Sequence, residues 1–203
     1  MEETLTAVYK FEDLAPEIQE NIIENEKKYI AEDPGDWWSD PIIEGLHEEL
    51  KEMGLTDIET EWTGFWSQGD GASFTARVFN SENKKFLSEV LGLKVLDEVA
   101  DNIAISITRM NSRYSHSGTM DACVEVDGDE EVEKDMGTGF LLTIDVTASL
   151  EPIEDAVRDW ARARADKLYN DLERAYNELF EDSSIREDII ARGGDYDEEG
   201  NVL

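Results

Sequence analysis

The stretch Ile58-Glu59-Thr60-Glu61-Trp62-Thr63-Gly64-Phe65-Trp66-Ser67-Gln68-Gly69-Asp70-Gly71-Ala72-Ser73-Phe74-Thr75-Ala76-Arg77-Val78 changes the period of the chain from helical to extended. Ile58, Thr60, Trp62, Gly64 and Trp66 alternate with Glu59, Glu61, Thr63 and Phe65. Ala72, Phe74, Ala76 and Val78 alternate with Ser73, Thr75 and Arg77. Successive side chains of a strand point to opposite faces, so two runs of period two around Gln68-Gly69-Asp70-Gly71 predict an antiparallel hairpin with one buried face.

Working outward, the pattern on the N-terminal side is helical. Residues 11–30 carry Pro16 near a first turn and Ile18, Ile22, Ile23 and Tyr29 on one stripe, and Asp33-Pro34-Gly35-Asp36 breaks that helix. A second helix runs from Asp40-Pro41 to Met53 and stops at Gly54, a C-terminal cap. On the C-terminal side residues 81–100 read as an inserted helix, interrupted by Gly92. Three more strands are predicted at Ile103 to Ile107, Met120 to Val126 and Phe140 to Val146, with the polar stretches 111–118 and 127–135 as exposed loops or hairpin ends. From Glu151-Pro152 one helical pattern continues to Asp182, about 46 Å at the standard rise. A short helix near 185–191 and an acidic tail at 192–203 complete the chain. The expectation is a single α+β domain over 1–203. Its antiparallel sheet (57–147) has about five strands in meander order, with the helices (11–53, 81–100, 152–182) packed on one face and the last of them long.

Charge bounds the partners. Fifty Asp and Glu against 18 Lys and Arg give a formal charge of -32, while 40% of the chain is hydrophobic. A disordered acidic tail lacks the apolar residues to offset its ordering entropy, so this chain folds. A field of this sign repels phosphate backbones and disfavours direct binding of nucleic acid. The same field attracts a basic, nucleic-acid-binding protein. Solubility at high salt is the rival use of such a surface. Cys123 is the only cysteine, which excludes an internal disulfide and, with two histidines, disfavours a Cys/His zinc site. The first residues, Met1-Glu2-Glu3-Thr4-Leu5, show neither a basic nor a long apolar run, and no stretch approaches a membrane span, so the chain is expected in the cytoplasm.

Candidate contact residues fall in two places. Trp66, Gln68 and Asp70 sit at the aromatic, glycine-rich hairpin, where rings and backbone freedom suit recognition; the alternative is that the glycines serve the turn and the rings are core. Asp127, Asp129, Glu130, Glu131 and Glu133 form an acidic stretch whose single glycine is out of register for a calcium loop. Asp195-Tyr196-Asp197-Glu198-Glu199-Gly200 begins like such a loop but lacks its closing glutamate. Neither Ser67, His47, His116 nor Cys123 has the neighbours of a nucleophile, base or ligand, and no catalytic residue, metal or cofactor is assigned. Arg158, Arg162, Arg164, Lys167 and Arg174 concentrate positive charge on the long helix among Glu154, Asp155, Asp159, Asp166 and Asp171, where ion pairing within the chain is expected. The unbalanced negative charge is then left to the first two helices and to 127–135 and 195–199. The long helix also offers a surface for pairing with a second copy.

Three stretches together resemble a family of small acidic bacteriophage and prophage proteins, some labelled antitoxin-like: Val8 to Leu14, the core Gly64 to Phe74, and Ile185 to Ala191 with Asp195 to Asn201. The resemblance implies a phage context and carries no site residue; residues 111–135 do not share it. Charge and resemblance lead to the expectation of a non-enzymatic, phage-encoded inhibitor that mimics nucleic acid and blocks a host defence or DNA/RNA-binding protein. The alternatives are an antitoxin-like protein covering a toxin enzyme, and a hydrolase or small-ligand or metal-binding protein with a pocket beside Trp62, Trp66 and Asp70.

Overall fold

A computed structural model describes residues 7–137 and 140–203. The opening residues on which the expectation of no export signal rests lie outside them. The protein is α+β and divides into two compact units, one of residues 1–39 with 173–203, the other of residues 40–172.

In the second unit, helix α2 (Asp40–Glu52) leads through Gly54, at φ +89°, into strand β1 (Leu55–Thr63). Strands β1, β2 (Gly71–Val78), β3 (Ile103–Arg109) and β4 (Met120–Val126) form an antiparallel sheet in meander order. The register sets Trp62 against Ala72, Thr60 against Phe74, Ala76 against Ile107 and Ile105 against Val124. One face is therefore apolar: Phe74, Ala76, Ile103, Ile105, Ile107, Met120, Ala122 and Val124 are all buried. The other carries Glu59, Thr75, Arg77, Ser106 and Thr108 along an open groove of about 760 Å³.

The expected fifth strand of that sheet pairs elsewhere. Strand β6 (Leu141–Asp145) binds β5 (Glu131–Asp135) in a separate two-stranded sheet, so the stretch 127–135, expected as an exposed loop or hairpin end, contains a strand. The inserted helix over 81–100 is also broken. A short α3 (Asn83–Lys85) runs into a π-helical turn (Phe86–Val90), Gly92 adopts φ +67°, and helix resumes as α4 (Asp97–Ala100). A left-handed residue ends a helix, and Leu93 to Val95 then run without helical hydrogen bonds before the Leu96 carbonyl accepts the Ala100 amide (3.0 Å) and opens α4. Asn83 holds the insert to the sheet, its buried Nδ2 donating to the carbonyls of Ala100 (3.1 Å) and Ile103 (2.6 Å).

Asp145 starts the long helix α5 (Leu150–Glu178) by accepting from the Thr147 amide (2.9 Å) and hydroxyl (2.6 Å) at a preceding 3-10 turn. Its stripe Ile153, Val157, Ala161, Ala165, Leu168 and Leu172 is buried, and Trp160 meets Phe74 and Phe86 edge-on. The helix thus lies on the apolar face of the sheet. It ends at Glu178, four residues before the expected end, because Leu179 and Phe180 close 3-10 bonds onto Tyr176 and Asn177 and the chain turns at Glu181.

In the first unit, helix α1 (Pro16–Glu32) packs on α6 (Asp182–Arg192) around Phe11, Leu14, Ile23, Ile185, Ile189 and Tyr196. The acidic residues 195–200, expected as a tail, are held against this core by the buried Tyr196. Tyr196 exchanges two backbone hydrogen bonds of 2.9 Å with Tyr9, and Asp197 closes the turn by accepting the amides of Glu199 and Asn201 (2.9 Å each). Those bonds, with the Asn201 side-chain amide foremost, hold the Asp197 carboxyl below the usual aspartate range.

Candidate interaction surfaces

The sequence-derived contact residues separate to opposite ends of the four-stranded sheet, because β1 and β3 end where β2 and β4 begin. The seven residues of β4 put about 23 Å between the ends. Trp66, Gln68 and Asp70 lie at one; Asp127, Asp129, Glu130, Glu131 and Glu133 lie at the other.

At the first end the connection is longer than a tight hairpin turn, since β1 ends at Thr63 and residues 64–70 form a loop. One oxygen of Asp70 accepts the amides of Trp66 (2.9 Å) and Ser67 (2.5 Å), closing the loop on itself. Each glycine of the motif makes room for a neighbour: a Cβ on Gly64 would lie 2.9 Å from the Asp70 carboxylate, and one on Gly69, at φ +99°, 2.7 Å from Cε1 of Tyr114. Residues 111–118, expected as an exposed loop or hairpin end, fold back over this end, burying Ser115 and seating His116 on Gly71. The rings divide between core and surface: Phe65 is buried between Trp62 (5.6 Å) and Tyr169 (5.5 Å), while Trp66 is 75% exposed with its ring edge-on to Phe65. Asp70 shapes the loop, and Trp66 and Gln68 are presented by it.

At the second end the acidic stretch is pinned before it becomes a strand. The Asp127 amide donates to the Asn102 carbonyl (2.8 Å) and its carboxylate accepts from Asn80 (2.7 Å). The Asp129 amide donates to Asn102 Oδ1 (2.9 Å), an approach open only because residue 128 has no Cβ. The Glu130 carbonyl accepts from the Val146 amide (2.8 Å), and β5 then pairs Glu131 with Asp145, Glu133 with Thr143 and Asp135 with Leu141. Directly opposed residues share a face. One face of the hairpin therefore carries Glu131, Glu133, Asp135 and Asp145, all exposed, with about 7 Å between alternate residues along the strand. The other turns Val132, Lys134 and Ile144 inward, and Lys134 reaches Glu98 at 2.9 Å. Glu131, Glu133 and Asp135 take part in no ion pair among the described residues. The Thr147 hydroxyl, foremost, keeps the Asp145 carboxyl below its ordinary value, so this group also stays charged. Asp135 and Asp145 were not singled out from the sequence, because only the cross-strand register puts them in the row.

The basic residues of α5 are engaged within the chain. Arg158 binds Asp121 (2.7 Å), Glu154 (2.6 Å) and Asp155 (2.5 Å), while Arg164 and Lys167 meet Glu49. Hydrogen bonding to Arg158 lowers Asp121. The half-buried Cys123 thiol is raised by burial first and then by Glu125, which holds it protonated; burial also lowers His47, whose Nε2 lies 2.9 Å from the Thr60 hydroxyl. No group of three or more His, Cys, Asp or Glu side chains converges as a metal site among the described residues, and no helix there is long and apolar enough to cross a membrane.

No curated protein and no solved structure matches the chain. The family described as Domain of unknown function (DUF8835) matches residues 37–182, which include the whole four-stranded sheet, both candidate ends and α5; the chain belongs to that family.

Proposed function

We propose that the protein is a non-enzymatic, phage-encoded inhibitor that imitates a nucleic-acid backbone and occupies the positive groove of a basic host protein that handles or defends against nucleic acid. The observation that carries this reading is the row Glu131, Glu133, Asp135 with Asp145 across from it: single negative charges, evenly spaced, on a pinned backbone, with the hairpin's lysine turned away. Successive phosphates of one strand rise by about 3.4 Å and rotate about the axis, which spreads them over a through-space distance comparable to the spacing of alternate strand residues. Placing Glu131 directly opposite Asp145 costs stability, as like charges across a strand pair do. A surface selected only to fold would not retain that pairing.

The test is displacement of fluorescein-labelled duplex DNA from purified basic proteins, followed by anisotropy between 50 and 500 mM salt. An HU-type architectural protein, a restriction endonuclease and an RNA polymerase holoenzyme form the panel. Displacement should weaken steeply with salt, and Glu131→Gln, Glu133→Gln and Asp135→Asn together should flatten that dependence. Displacement that ignores all three exchanges removes the reading. The exposed Trp66 on its self-closed loop favours a second reading, an antitoxin-like cover for an enzyme. That interface would survive high salt and would be lost on Trp66→Ala.

A further inference from the structure

Charge does not account for the outer end of the β5–β6 hairpin. Met136, Phe140 and Leu141 are 51%, 63% and 52% exposed, and Leu142 beside them is also open to solvent. Leu141 lies opposite Asp135, which puts it on the carboxylate face, beside the last carboxylate of the row Glu131, Glu133 and Asp135. Isolated apolar residues on a surface are ordinary, but a run of them at one end of a charged ridge marks a contact. A coat serving solubility has no use for them, since exposed apolar side chains promote association.

Three occupants can cover such an end, and the carboxylates beside it choose among them. An anionic membrane surface repels a ridge of this sign. A second copy would bring one carboxylate row toward another, and like charges juxtaposed across an interface are strongly unfavourable. A protein with a cationic groove satisfies the ridge and, where an apolar cavity adjoins that groove, the tip as well. Resting on the mimic reading above, we infer that the hairpin docks as one unit. Glu131, Glu133 and Asp135 lie along a row of Lys or Arg on the partner, and Phe140 and Leu141, with Met136, fill an apolar pocket at the end of that row. The recognised partner is thus a protein whose nucleic-acid groove borders an apolar pocket. The two parts act on different rates: the carboxylates steer encounter, and the buried tip slows dissociation.

The full-length protein and the panel above, read by stopped flow and anisotropy, test this with two variants, the triple carboxylate exchange and Phe140→Ser with Leu141→Ser. Unchanged far-ultraviolet dichroism and melting temperature show that each is folded, as expected for exposed positions. The tip variant should dissociate roughly tenfold faster from the protein that is bound, by the same factor at 50 and 500 mM salt. The carboxylate variant should associate more slowly at 50 mM and hardly differ at 500 mM. If the tip variant dissociates within twofold of the unmodified protein, the inference fails and the mimic reading stands. If no panel member is bound, or if binding ignores the carboxylates, both fail. Co-sedimentation with phosphatidylcholine vesicles that the tip variant abolishes would assign the tip to lipid. A dimer by light scattering that the tip variant dissociates would assign it to a second copy. Either result overturns the inference.

Discussion

Gly128→Ala isolates the contact that holds the acidic hairpin in place. The position has no positive φ, so alanine brings no backbone strain and acts only through its Cβ. That atom would overlap Asn102 Oδ1 and stand 3.1 Å from its Cγ, so the Asn102 side chain must turn away. Turning it breaks two hydrogen bonds, Asp129 N–H to Asn102 Oδ1 at 2.9 Å and Asn102 Nδ2 to the Glu98 carbonyl at 2.8 Å. At about 1 kcal/mol each, the loss is about 2 kcal/mol, or roughly 4–8 °C in melting temperature for a chain of this size. Asn102→Ala breaks the same two bonds and should cost about the same. The double variant has neither the bonds nor the overlap, so it should be no less stable than Asn102→Ala alone; the two changes should be non-additive by about 2 kcal/mol. Thermal unfolding gives the cycle, and amide exchange gives its location: the Asp129 amide should lose protection in all three variants while the amides of β3 and β4 keep theirs. Additive effects, or an Asp129 amide that stays protected in Gly128→Ala, would refute the assignment of residue 128 to this contact.

Two further outcomes follow from the packing and the ion pairs. Gly69→Ala should cost about 2–4 kcal/mol by combining left-handed strain with overlap on the Tyr114 ring, and adding Tyr114→Ser should recover only the overlap, as measured by thermal unfolding. Arg158 holds the Asp121 carboxyl below its ordinary value of 3.8, so the folded state binds that proton less readily than the unfolded chain. The stabilisation is present above pH 3.8 and is lost as pH falls through the lowered value. The stability gap between the protein and Asp121→Asn should therefore be full at pH 6 and close on acidification; a gap that widens toward pH 3 would contradict the pairing.

The parts of the fold legible in the sequence are those where one face is apolar and the other wet. Strands β1 to β4 are of this kind, and so are α2 and the stripe of α5. Strand β5 was hidden because its alternation, Glu131, Val132, Glu133, Lys134, Asp135, contains one apolar residue, and its inward lysine is satisfied by Glu98 rather than by a core. The end of α5 was hidden because Tyr176, Leu179 and Phe180 continue the apolar stripe across the break, and neither glycine nor proline marks it. At the aromatic end the sequence marks the glycines as turn residues. Gly69 does adopt positive φ, but the space beside Gly69 and Gly71 is filled by Tyr114 and His116 from a connection more than 40 residues away, which no local pattern announces. The folded C-terminal residues depend on Tyr196 meeting Phe11 and Tyr9, a contact across the length of the chain.

What separates the carboxylates available to a partner from the rest is where the few cations went. Arg158 binds three acids, Arg164 and Lys167 bind Glu49, and Lys10, Lys27 and Arg192 are used up in the first unit on Asp195, Asp182, Glu24, Glu26 and Asp188. Exposed pairs of this kind add little stability one by one, but each lowers the local field within roughly a Debye length, about 8 Å at physiological salt. On the outward face of the β5–β6 hairpin Glu131, Glu133 and Asp135 form no such pair among the described residues, and Lys134 is drawn inward to Glu98. Replacing Glu98 with Gln should release Lys134, place a positive charge beside the row and weaken a cationic partner's association at low salt, although residue 98 need not touch that partner. An unchanged association rate would show that the inward lysine has no part in setting the charge of the ridge.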